Sequence, residues 1–318
     1  MISYSIEKEY LGLVDAYEKA GGDRSALLSK EVAKLVIHEN KVLGADGVSG
    51  LQIETKETET GVNVYFLIEE GAKIQHPVHL CFGILPQEGL QEIILKVEAQ
   101  DNSEVSVIAH CIFPNAVKVI HKMDADIKIG SNAKFDYKET HYHGDFGGIE
   151  VIPKAKITLG EMAQYENTFS LIQGSVGTLD FDFEIFSGAR SIAELIAKVY
   201  GKNDDVINIA EKVHLNGNGA RSLIKTRIVL RDRARAEVIG ETYGNAPYTR
   251  GHVDCIELVN GEQAVAKAIP IVSVTNEKAK VTHEAAIGSI DKRQVETLMA
   301  RGLDENEAID VIVKGILR

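Results

Sequence analysis

A chain of 318 residues, 44% hydrophobic and 26% charged, can bury a sizeable core and leaves room for one to three domains. Its net charge of −12 and pI of about 5.4 repel nucleic acid and anionic membrane over most of the surface. No apolar run reaches the roughly 18 to 20 residues of a membrane span, and the N-terminus lacks the basic flank and apolar core of a secretion signal, so a cytoplasmic protein is expected.

Residues 1–45 read as an N-terminal helical arm. Tyr10, Leu11, Val14 and Tyr17 recur at helical spacing until Gly21-Gly22, and Leu27, Leu28, Val32, Leu35 and Val36 repeat the pattern.

Over residues 46–287 the period changes to two. Thr178 to Phe186 alternates cleanly, and Val62 to Ile68, Glu92 to Val97, Val105 to Ile108, Ile127 to Ile129 and Ser222 to Leu230 are similar. Between the runs a small residue recurs beside Asn, Gly, Lys or Arg, at Ala133, Ala155, Ala189, Ala220, Ala234, Ala246, Ala264 and Ala279. Regular short strands suit a sandwich, but Asn-Gly and Asp-Gly hairpin signals cover only part of the chain. Strand-corner-strand units with small corner residues suit equally a β-helix, in which each rung stacks on the last. The six basic residues between Arg221 and Arg235 alternate with apolar ones, as on a solvated strand face.

The β-helix reading carries a geometric expectation. If one turn takes about 28 to 30 residues, residues one turn apart lie on neighbouring strands roughly 4.8 Å apart. Cys255 and His283, 28 residues apart, would then be neighbours on one sheet, and a spacing of 30 relates Cys81 to Cys111 and Cys111 to His141.

Residues 288–318 return to helical spacing. Asp291 is an expected N-cap before Val295, Leu298 and Met299, and Arg301-Gly302 ends that helix. Asp304 caps a second helix bearing Ala308, Ile309, Ile312, Val313 and Ile316, a stripe that suits either the core or a partner.

Three cysteines, far apart and without a CxxC, argue against a disulfide framework or a zinc ribbon. Cys255, His283 and Glu284 are groups that bind metal or sulfur. His110, His121, His141 and His143 form the densest histidine region, and His141-Tyr-His143 puts two imidazoles on one strand face, either as a metal site or as polar residues on an exposed sheet. Cys81, in Leu-Cys-Phe-Gly-Ile, reads as core. No G-x-x-x-x-G-K-[ST] loop is present, so any ATP chemistry belongs to a partner. A sugar-processing β-helix enzyme would need clustered acids; the acids here are scattered, although Asp180 and Asp182 share a strand face.

The segments His252-Val-Asp-Cys-Ile-Glu-Leu258, Ala268-Ile-Pro-Ile-Val-Ser-Val274, Thr282-His-Glu-Ala-Ala-Ile-Gly-Ser-Ile-Asp291 and Ala300 to Gly315 together resemble the C-terminal signature of the SufB/SufD family of iron-sulfur cluster assembly proteins. Val64 to Leu80 and Glu92 to Cys111 are similar to that family's early strands. The resemblance implies a right-handed parallel β-helix flanked by helices. It implies a scaffold, not an enzyme in its own right, on which an iron-sulfur cluster is assembled and passed to apo client proteins. Dimerisation through the β-helix and docking of an ABC-type ATPase on the C-terminal helices are implied as well.

Residue by residue, Cys255 stands at the essential cysteine of the SufB type and His283-Glu284 at its His-Glu pair, whereas the SufD type keeps a similar histidine alone. Cys111 falls near a family Gly-Cys-x-x-Pro element, with His110 here in place of the glycine. The short chain resembles compact members that act as sole scaffold subunit, which implies a homodimer in place of a SufB-SufD heterodimer. The alternative is a structural SufD-like subunit whose Cys255 is idle. Expected cluster ligands are therefore Cys255, His283 and Glu284, with Cys111 a further metal ligand; mixed ligation suits a cluster that is handed on. Cationic neighbours of Cys255 are expected to favour its thiolate.

Overall fold

The alternating runs become strands of a two-sheet parallel β-solenoid of about eight turns, with helices at both ends of the chain. This computed structural model describes residues 2–317. The strands are β1 (Lys34–His38), β2 (Lys41–Asp46), β3 (Leu51–Glu57), β4 (Gly61–Ile68), β5 (Val78–Gly83), β6 (Glu88–Ala99), β7 (Glu104–Phe113), β8 (Lys118–Ile129), β9 (Lys134–His143) and β10 (Ile149–Leu159). They continue as β11 (Gln164–Gln173), β12 (Gly177–Ser187), β13 (Ile192–Gly201), β14 (Val206–Leu215), β15 (Arg221–Arg231), β16 (Arg235–Gly244), β17 (Arg250–Asn260), β18 (Val265–Val274) and β19 (Lys280–Ser289). Odd strands from β5 to β19, with β1 and β2, make one sheet; even strands from β4 to β18, with β3, make the other.

From β4 onward each strand pairs in parallel with the strand two places on, so one turn is the register interval. It is 28 residues where Thr178 meets Val206, 30 where Lys118 meets Glu88, and 31 where Gly61 meets Glu92. Because side chains alternate across a strand, one face of every strand points into the solenoid, and these faces fuse into one continuous core running from Ala33 to Cys255.

The corners explain the recurring small and polar residues. One stack of corners places Asn102, Asn132, Met162, Arg190 and Tyr248 at φ between 56° and 61°, with Gly219 at 71° in the same stack. A left-handed residue turns the chain between sheets without lengthening the rung, and Asn tolerates that conformation better than most. Ala133, Ala189, Ala220, Ala234, Ala246, Ala264 and Ala279 do sit at corners; Ala155 instead lies inside β10, facing the core.

The two ends differ. At the N-terminal end, antiparallel β1–β2 and β3–β4 close the first turn, and the inward-facing Leu35, Ile37 and Leu51 are buried. The helical arm is shorter than its periodicity predicts: α1 spans Ile2–Lys19 and α2 Arg24–Leu28, and the expected helix over Leu35 and Val36 is β1. The reason is two-sided burial. All five β1 residues are buried, Leu35 and Ile37 in the solenoid and Val36 against Leu13, Val14 and Tyr17 of α1. A strand buried on both faces loses its alternation and mimics a helical stripe.

At the C-terminal end no element among the described residues caps the last turn. Ala266, Ala268, Pro270, Val272 and Val274 of β18, and Val281, His283, Ala285 and Ile287 of β19, continue the inward-facing columns yet are half-buried or exposed. The tail turns back along the outer face instead. Helix α3 (Lys292–Met299) starts at Asp291, whose side chain accepts from the Arg293 amide, and α4 (Glu305–Ile316) starts with a capping box of Asp304 and Glu307. Ile309, Val313 and Leu317 pack with Ile290 on Tyr200 and Val229, whereas α3 buries no residue. No helix among the described residues is long and apolar enough to cross a membrane.

Candidate functional site

Cys255 lies on the inward face of β17, 1% exposed, between Gly251, Val253 and Glu257 of the same face. Its register partners are Thr226 on one side and Ala285 on the other. Across the interior, a Cβ on Gly240 of β16 would stand 3.9 Å from the Cys255 Sγ and only 2.8 Å from Val253 Cγ1, so glycine lets the opposite sheet approach the thiol. Thr226 Oγ1 donates to Glu211 Oε2 at 2.9 Å, and both carboxylate oxygens of the fully buried Glu257 find no hydrogen-bond partner in another side chain among the described residues.

This lining controls protonation. Burial pushes the Cys255 thiol up to about 12, with Glu257 and Glu211 adding to it, so the thiol stays protonated at neutral pH. The expectation that cationic neighbours favour thiolate is therefore reversed in the isolated chain: the nearest charged side chains are acids. Burial also raises Glu211 and Glu257 to about 7 each. A cation arriving here would find two carboxyl groups that exchange protons near neutral pH beside a thiol that gives up its proton only on binding metal.

His283 pairs in register with Val253, so it sits diagonally from Cys255 on the same inward face, one strand nearer the open end. The offset of two residues is about 6.6 Å along the strand. Glu284 pairs with Asp254 and faces the opposite, outer side, exposed, beside an Asp254 held by Arg227 at 2.5 Å. One chain thus brings Cys255 and His283 to one face and leaves Glu284 on the other.

A second group of donors lies deep in the solenoid. Cys111 pairs in register with His141, as their spacing predicts, and both face inward. Cys81 pairs with His110, one residue out of that column, and so packs outward against α1 with Tyr17. His121, from the facing sheet, puts Nε2 3.7 Å from the Cys111 Sγ; Glu139 Oε1 is likewise 3.7 Å from that sulfur and 2.6 Å from His141 Nε2. His141 Nδ1 is 3.2 Å from His143 Nε2. All five side chains are at most 3% exposed, so these imidazoles line the interior, not an exposed sheet face. His110 alone points outward, its ring centroid 4.4 Å from that of Tyr17.

Burial forces His121 down to about 3 and the Cys111 thiol well up, the latter helped by Glu139. Burial also opposes the charge on Glu139, but the hydrogen bond and charge of His141 outweigh it and hold the carboxyl below its usual range. Glu139 escaped the sequence reading, although the alternation Glu139-Thr-His141-Tyr-His143 puts it on the same face as both histidines.

The fold and its sites define a class, a parallel β-solenoid protein with thiol, imidazole and carboxyl donors on its inward face and one end uncovered. The SUF system FeS cluster assembly SufBD core domain matches residues 87–316. An iron-sulfur cluster assembly SufBD family protein of Methanocaldococcus jannaschii is 38% identical over 98% of this chain and 99% of its own. A second such protein, from Pyrococcus horikoshii, is 38% identical over 98% of this chain and 94% of its own. A chloroplastic family protein of Arabidopsis thaliana is 23% identical over 79% of this chain and 46% of its own. The chain belongs to the SufBD family of iron-sulfur cluster assembly proteins.

Proposed function

We propose that this protein is a cytoplasmic scaffold subunit on which iron-sulfur clusters are assembled and from which they pass to apo clients, working as a homodimer with an ABC-type ATPase. The observation that carries the reading is the uncovered end of the solenoid, where a buried thiol, Cys255, and an exposed imidazole, His283, share one inward-facing surface. A second copy set against this end would cover the apolar residues Val272, Val274 and Ile287, which are 37%, 47% and 52% exposed. It would also double the donor set. The cluster is cargo: Cys255 supplies sulfur ligation and His283 the exchangeable donor, Glu284 on the outer face lies outside this chain's own set, and Glu211 and Glu257 take up the protons that a thiol releases on meeting iron. ATP hydrolysis falls to the partner, for which the largely exposed α3 beside the anchored α4 offers a docking surface.

The second reading, a structural subunit with an idle cysteine, is favoured by the high pKa of Cys255, which keeps the thiol protonated in a single chain. Anaerobic reconstitution with iron and sulfide, alone and with the ATPase, separates the two. The scaffold requires a chromophoric cluster in wild type and its loss in Cys255→Ser; equal loading or no loading in both sinks it.

A further inference from the structure

We infer that the solenoid interior holds one mononuclear divalent transition-metal ion, zinc(II) or iron(II), bound by Cys111, Glu139 and His141 with His121 as fourth donor. The ligand atoms of the first three lie within 4.8 Å of one another, and His121 Nε2 closes on the sulfur at 3.7 Å. In a tetrahedral site with bonds of about 2.1 to 2.3 Å, neighbouring sulfur and nitrogen or oxygen donors stand about 3.6 Å apart. The two contacts of Cys111, both 3.7 Å, are at that separation already.

These donors sit deep in a largely apolar tube, with the Tyr137 hydroxyl as a further polar group beside Glu139, and incompletely paired polar groups are costly there. His121 Nδ1 has no hydrogen-bond partner, and among the described residues Glu139 forms an ion pair only with His141. One divalent cation, one thiolate, one carboxylate and two neutral imidazoles sum to zero charge, the cheapest arrangement for a buried ionic site. The surrounding shell is apolar on one side and orienting on the other. Phe113 lies 5.0 Å from His121 and Phe169 4.9 Å from His141, while His143 Nε2 is placed to accept from His141 Nδ1–H and so turn Nε2 toward the ion. On binding, the Nε2 proton that His141 shares with Glu139 and the Cys111 thiol proton both leave to solvent, and His141 keeps its Nδ1 hydrogen; no electron is transferred.

This ion is separate from cluster cargo. β7 and β17 are five strands apart in one sheet, about 24 Å at 4.8 Å per step. The inward columns between Glu139 and Cys255, and beside them, hold Phe169, Leu171, Ala197 and Val199. The full-length protein should be produced in medium supplemented with zinc(II), iron(II) or cobalt(II), and its metal and acid-labile sulfide counted. One ion per chain without sulfide is expected in wild type, with at least tenfold lower occupancy in Cys111→Ser and in Glu139→Ala. Should those variants misfold, the Cys81→Ser/Cys255→Ser protein, whose only thiol is Cys111, must still show a thiolate-to-cobalt charge-transfer band. Absence of metal from folded wild type, full occupancy in the variants, absence of that band, or sulfide in step with metal would each overturn the assignment.

Discussion

Single residues carry the chemistry here because a solenoid interior has no solvent to share it with. Glu211 illustrates the consequence. Its carboxyl is raised from 4.5 to about 7 by burial, against the hydrogen bond from Thr226. The folded chain therefore holds a proton that the unfolded chain gives up between those values, and the stability this contributes is complete below pH 4.5 and lost as pH rises through 7. Glu211→Gln removes that loss, so denaturant melts should show the variant gaining about 2 kcal/mol relative to wild type between pH 5 and pH 8. The alternation in the sequence revealed which residues face inward, and the spacing of 30 placed Cys111 on His141 correctly. It could not reveal that the inward face beside them is buried. The same period-two pattern describes an exposed sheet, which is why the histidines read two ways and Glu139 was passed over.

Among the elements, the terminal helices were legible from their caps: Asp291 and Asp304 start α3 and α4 where sequence placed them. Where the stripe on α4 docks was not legible, because a helix shows its apolar face but not its partner. It anchors through Ile309, Val313 and Leu317 on the outer face of the odd-strand sheet. Ile309→Ala should cost the tail about 2 to 3 kcal/mol, the usual range for a buried Ile truncation. Amide exchange in α4 should accelerate tenfold or more while the melting temperature of the solenoid stays put; an unchanged α4 would show the packing to be dispensable. β1 is the converse lesson: strand residues buried on both faces lose the one signal that distinguishes them from a helix.

For the whole molecule, corner spacing left a β-helix and a sandwich equally open and the family resemblance decided for the β-helix that the structure has; the asymmetry of its ends was not legible at all. Val272 and Ile287 belong to inward-facing columns like any others, and only the missing turn beyond them makes them surface. Introducing charge there should leave the monomer folded and weaken the proposed self-association. For Val272→Glu with Ile287→Glu, sedimentation should show at least a tenfold rise in the dissociation constant, since an unpaired buried carboxylate costs upward of about 2 kcal/mol. A dimer of wild-type affinity would place the contact elsewhere.

A stack in which each rung is held only by its neighbours behaves as a one-dimensional array, and such an array peels from its weakest terminus. The closed N-terminal turn is clamped by two hairpins and a helix; the final turn is clamped on one side only. Cys255 lies one rung in from the loose end. Peeling of that rung would bare a thiol that the intact chain keeps 1% exposed, well before it reached Cys111, five strands further in.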